Sequence, residues 1–244
     1  MPARAEPYFT PATFRFLRAL RRNNEREWFE AHREDYERHV REPCLRLIGD
    51  LDRPLRAISP HLVASARRVG GSLFRIHRDV RFAADKRPYK THVGMSFYHA
   101  ATKATPRAGQ GSADRGRLDA PVLYLHLEPG QCFTGGGLWH PQADTLKRIR
   151  DFVVDNPRSW QHATRRAEFT RVYTLTGDRL ARAPRGYPAD HPLLEDLKRR
   201  DFVATTPLGD DDVFATDLPK RLVRRYRLLK PLLEWQCLAL DLEF

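Results

Sequence analysis

The hydrophobic repeat of this 244-residue chain changes from helical to alternating and back, and few folds accommodate that order. From Thr10 to Leu55 apolar residues fall on helical spacing. Phe14, Leu17 and Leu20 come first, then Trp28, Phe29, His32, Tyr36 and Val40, then Cys44, Leu47, Ile48, Leu51 and Leu55. Thr10-Pro11 is an N-cap followed by proline, and Asn24 is placed to cap the next helix. From Leu73 to Phe82 the period drops to two, with Phe74, Ile76, Val80 and Phe82 opposite Arg75, His77, Asp79 and Arg81. Further strands are expected at Val93–Phe97, Val122–Leu127, Cys132–Thr134, Val172–Leu175 and Phe202–Thr205. Gly135-Gly136-Gly137 reads as a tight strand-to-helix turn before Pro141. Helices resume at Pro141 and Pro157, a short one starts at His191, and a long one runs from Leu218 to Leu240. Helices, a strand cluster and helices again predict an α+β fold, a mostly antiparallel sheet packed against N-terminal and C-terminal helices. A single domain is expected over residues 10–244, with a flexible N-terminus at 1–9. Residues 100–120 hold no large apolar side chain except Leu118, which predicts a mobile insertion.

Composition narrows the class of protein. With 41% hydrophobic and 30% charged residues, wholesale disorder is excluded. No apolar run approaches the roughly 18 residues of a membrane helix, and Met1 to Glu6 leads into no signal-peptide core. Cys44, Cys132 and Cys237 are odd in number and too far apart for metal-ligand spacing, which predicts a reducing, cytoplasmic setting. The net charge of +12 suits an anionic partner, either a small phosphorylated or carboxylated molecule or nucleic acid. Only 7 of the 43 basic residues are Lys, a skew that reads as genome composition more than as a nucleic-acid footprint. For nucleic acid, the insertion with Arg221, Arg224, Arg225 and Arg227 would supply the basic surface.

The densest chemistry lies between Arg75 and Lys90. On a strand, Arg75, His77, Asp79 and Arg81 would form a row about 6.6 to 6.8 Å apart. Two guanidiniums there could grip a phosphate or carboxylate, with His77 or Asp79 as acid–base candidates. Arg78 falls on the apolar side and is expected to pair with a buried acid, with Glu27, Asp85 and Glu128 as candidates, the alternative being that it snorkels at the sheet edge. Known catalytic signatures are missing, both H-E-x-x-H and G-x-S-x-G. His77, His92, His99, His126 and His140 look scattered, so no metal site and no cofactor are read from the sequence. A weaker alternative is a metal-dependent phosphodiester hydrolase built on Asp79 with Asp85-Lys86. A non-catalytic interaction scaffold is another.

Four blocks, N-N-E-R-E-W-F from Asn23, R-I-H-R-D-V-R-F-A-A-D-K-R-P-Y-K from Arg75, G-G-G-L-W-H-P from Gly135 and P-R-G-Y-P-A-D-H-P from Pro184, occur in an order that resembles a known family. The chain resembles the uncharacterised bacterial and fungal proteins grouped as domain of unknown function 2461, from about Phe14 to Phe202. The resemblance implies one conserved-hypothetical domain and brings no established activity. Its motif members here include Asn23, Asn24, Arg78, Asp85 and Tyr89, expected to be structural. The functional expectation is an anion pocket. Arg75, Arg81, Lys86 and Lys90 would supply charge, and Gly136 and Trp139 a wall.

Overall fold

The computed structural model describes residues 6–104 and 119–244. The expected insertion at 100–120 and the flexible segment at 1–9 fall mostly outside them. The N-terminal layer is α1 (Pro11–Arg22), α2 (Arg26–Ala31), α3 (Arg33–Tyr36), a π-turn (Glu37–Arg41) and α4 (Glu42–Arg56). Thr10 caps α1 as its sequence suggests, its hydroxyl accepting from the Ala12 amide while Thr13 returns a bond to the Thr10 amide. Asn24 is not a cap. That position belongs to Glu25, and the Asn24 side chain is used elsewhere.

Six strands follow: β1 (Leu62–Val63), β2 (Val93–His99), β3 (Val122–Leu127), β4 (Phe133–Leu138), β5 (Thr174–Thr176) and β6 (Phe202–Pro207). They form one sheet in the order β1-β2-β3-β4-β6-β5, and every neighbouring pair is antiparallel. A 3-10 turn (Ala100–Ala104) follows β2. Between β4 and β6 lie α5 (Ala143–Asp155), α6 (Pro157–Arg165), α7 (Ala167–Thr170) and α8 (Leu194–Leu197). After β6 come α9 (Asp210–Val213) and α10 (Leu218–Ala239). The α+β fold is therefore as the period changes predict.

One sheet face is dry. Met95, Phe97, Leu123, Leu125, Leu127 and Phe202 are wholly buried beneath helices that include α10, whose Leu222, Tyr226, Leu229 and Leu233 are wholly buried too. The glycine run is strand and not turn. Gly135, Gly136 and Gly137 pair with Tyr124, Leu123 and Val122 on one side and with Thr205, Ala204 and Val203 on the other. A Cβ at Gly136 would lie 2.9 Å from Leu123 Cδ2 and from the Val122 carbonyl oxygen, and 3.2 Å from Leu229 Cδ1 of α10. Gly137 adopts φ +129°, which only glycine takes easily. Thr134 donates its hydroxyl to the Tyr124 carbonyl at 2.7 Å and lies 2.9 Å from the buried Tyr226 hydroxyl, so that polar group is satisfied beneath the helix. Cys44, Cys132 and Cys237 are free and buried, and burial pushes their thiols up.

The alternating stretch from Leu73 to Phe82 is not one regular strand. It runs beside the β2 edge through isolated bridges, Leu73 with Met95 and His77 with Tyr89, and its pairing ends where the Arg78 amide donates to the Pro88 carbonyl at 2.7 Å. Beyond Arg78 the chain leaves the sheet, so Phe82 is 95% exposed where the alternation predicts burial. The reason is local. Within residues 79–87 Arg81 bonds Asp79, Lys86 the Val80 carbonyl and Arg87 Asp85, and among the described residues no strand pairs with this stretch.

Gly136→Ala is expected to cost about 1–3 kcal/mol of unfolding free energy by overpacking beneath α10. Gly209→Ala, where an added Cβ meets nothing within 4 Å, should be near neutral. Urea unfolding of both variants measures the difference.

Candidate functional site

The Arg75–Lys90 segment is fastened from a distance. Asn24, 8% exposed, donates from Nδ2 to the Tyr89 carbonyl at 3.0 Å and accepts the Tyr89 amide on Oδ1 at 3.0 Å. One side-chain amide thus replaces a strand partner across 65 positions of sequence. The Tyr89 ring stacks on Phe29 at 4.2 Å. Asn23 instead closes the end of α1, donating to the Ala19 carbonyl at 3.0 Å.

Half of the charge expected to face a ligand, Arg81 and Lys86, is tied up within the loop. Arg81 forks onto Asp79, at 3.0 Å from Nε and 2.7 Å from its terminal nitrogen. These bonds hold the Asp79 carboxyl down at about 2. Arg78 pairs with Asp85 at 2.7 Å, one of the acids expected for it, but the pair is half-buried and not sealed in the core. Asp85 also takes Arg87 at 2.7 Å, and the bonds from Arg87, then those from Arg78, hold its carboxyl well below the usual range. Lys86 donates to the Val80 carbonyl at 3.1 Å.

Arg75 and Lys90 differ. Among the described residues neither has a carboxylate within 4.0 Å. The Lys90 ammonium lies 5.4 Å from the Phe74 ring centre, and burial, then the Arg75 charge, favours its neutral form. His77 is exposed and sits edge-on to Phe29; burial, then Arg75, lowers its proton affinity.

The sheet face turned away from α10 carries a second cluster. Strand alternation places Tyr124 and His126 on this face, with Glu128 next in the series, and the β2–β3 register sets His92 opposite Glu128. His126 Nε2 lies 3.3 Å from Glu128 Oε2, and its Nδ1 lies 3.2 Å from the Tyr124 hydroxyl. The His92 and His126 rings stack at 4.6 Å, and Phe133 stacks on the other neighbour position of His126 at 4.7 Å. His126 and Glu128 side chains are 12% and 19% exposed. Burial, then the adjacent His126, holds His92 down at about 4, and burial also lowers the proton affinity of His126 against the opposing pull of Glu128. His92, His126 and Glu128 offer ligand atoms within 4.8 Å of one another, and among the described residues they are the group that could hold a metal ion. Reading the histidines as scattered missed them. The signal was His126-Leu127-Glu128 on an alternating strand; His92 joins through a register that no local pattern encodes.

Gly136 faces α10, away from this cluster, and Trp139 lies past the opposite end of β4. Trp139 is 65% exposed and stacks on His140, whose amide and Nδ1 both reach the buried Asp201, at 2.6 and 2.9 Å. The expected wall of Gly136 and Trp139 is therefore not assembled beside Arg75. Two open depressions of about 410 and 370 Å³ lie elsewhere, beside Tyr8 and Tyr187. No helix among the described residues is long and apolar enough to cross a membrane.

A six-stranded antiparallel sheet with helices on one face, a fastened basic loop at its edge and a His–His–Glu cluster on its other face define the class of molecule. Residues 12–235 match the model of the DUF2461 family of conserved hypothetical proteins, and the chain belongs to that family. No match is found among curated proteins or among solved structures.

Asn24→Ala strands the Tyr89 amide and carbonyl and should cost about 2–4 kcal/mol by chemical denaturation. The Asp79–Arg81 contact has a defined pH response. A depressed carboxyl adds stability that is complete above about pH 4 and lost as pH falls towards about 2. Carboxyl carbon NMR should give Asp79 a midpoint near 2 that rises in Arg81→Gln.

Proposed function

We propose that this protein binds a small phosphorylated or carboxylated molecule at the sheet edge beside Arg75 and Lys90. The observation that supports the reading is that, among the described residues, neither cation has a carboxylate within 4.0 Å. Burial and mutual repulsion both work against the charge on Lys90. A bound anion reverses both penalties, and Arg75 can meet it with two parallel N–H bonds. Arg81 and Lys86, already engaged with Asp79 and Val80, would orient the loop instead of touching the ligand. Any acid–base step would fall to His77, the nearest titratable group without a fixed ion-pair partner in the ring cluster. The buried free thiols fit a reducing, cytoplasmic compartment.

The basic excess on α10 gives less support to nucleic acid. Arg221 is shared between Asp212 and Asp217, and Arg225 is held by Asp212, so half of that proposed phosphate row is neutralised.

A thermal-shift screen of nucleotides, sugar phosphates and organic acids tests the reading. At about 100 times its dissociation constant a ligand adds roughly 2.7 kcal/mol, a rise of about 5–10 °C at this size. The shift should fall sharply in Arg75→Ala and Lys90→Gln. Hits unchanged by both substitutions overturn the reading, as does an absence of hits alongside oligonucleotide binding that weakens steeply with salt.

A further inference from the structure

We infer that His92, His126 and Glu128 form a binding site for one divalent transition-metal ion, of the zinc or iron type, on the open face of the sheet. The argument is independent of the anion site and begins with donor chemistry. Two imidazoles and one carboxylate are a ligand set for zinc, iron or nickel, whereas calcium and magnesium prefer oxygen alone.

The cluster is built and not a chance surface grouping. His126 is in β3, Glu128 follows directly after that strand and His92 directly precedes β2, so the β2–β3 register, continued one residue past Val93 and Leu127, sets His92 opposite Glu128. The turn after Glu128 is closed by the Gln131 amide donating to the Glu128 carbonyl at 2.9 Å, and the Cys132 thiol reaches the same oxygen at 3.1 Å. Tyr124 takes up His126 Nδ1 and leaves Nε2 facing Glu128. Such an outer hydrogen bond sets which ring nitrogen is presented to a metal.

The ligand atoms lie within 4.8 Å of one another; a tetrahedral zinc centre with bonds of about 2.0–2.1 Å needs them roughly 3.3 Å apart. The atoms would therefore have to close by at most about 1.5 Å, while the His126–Glu128 separation of 3.3 Å already suits the ion. Three protein ligands leave a coordination position open, the arrangement of a reactive centre more than of a structural one.

The test uses the full chain, stripped with a chelator and titrated with the metal alone. Cobalt binding is followed by its visible absorption and zinc by competition with a chromophoric chelator. One equivalent per chain is expected, micromolar or tighter. His92→Ala and Glu128→Gln should weaken it by about 100-fold or more, and Tyr124→Phe by about 10-fold. Circular dichroism confirms that each variant is folded, and His140→Ala, in the separate His140–Asp201 pair, should bind as the parent does. No stoichiometric binding by the parent protein overturns the inference. So does binding that survives His92→Ala and Glu128→Gln in folded protein, or that is lost in His140→Ala.

Discussion

The contact between α10 and β4 organises this molecule, and it depends on an absent side chain. At Gly136 the helix presses Leu229 to within van der Waals reach of the strand backbone. A close approach there lets Tyr226 bury its ring completely and still find Thr134 for its hydroxyl. With the long helix seated on that face, the apolar positions of β3 and β6 have one side to point to. The alternate positions are released for other uses, and on β3 they hold Tyr124 and His126.

Legibility followed the range of the interactions. Helical spacing located α1, α4 and α10 because burial of one stripe is a local pattern, and β2 and β3 were visible for the corresponding reason. The glycine run was misread because glycines promise a turn, and only the helix above Gly136 makes them a strand requirement. Asn24 was misread for a similar reason. An asparagine before a helix is ordinarily a cap, and its bonds to Tyr89 depend on chain folding 65 positions away. The alternation after Arg78 imitated a strand, yet a strand also needs a neighbour to pair with, and none is present there. In the candidate site, Arg75 and Lys90 were visible as charge, but which cations would be neutralised within the loop was a matter of geometry.

The basic excess is distributed unevenly. Arg78, Arg81 and Arg87 are turned onto carboxylates of their own loop, which rests on the Asn24 fastening. A net charge of +12 therefore overstates how much positive surface a partner meets there. Under the proposed function, the anion is met by Arg75 and Lys90, which have no carboxylate within 4.0 Å among the described residues.

The three cysteines supply the molecule with an internal clock. Each sits under a different part of the structure, Cys44 in α4, Cys132 just ahead of β4 and Cys237 in α10, and none is accessible while those parts remain closed. A thiol reagent added to the native protein therefore reports opening events and not surface chemistry. If the helical layer and the sheet part together, the three sites are modified at one common rate. If the end of α10 peels away first, Cys237 runs ahead of the other two, and the order of modification records the order in which the fold comes apart.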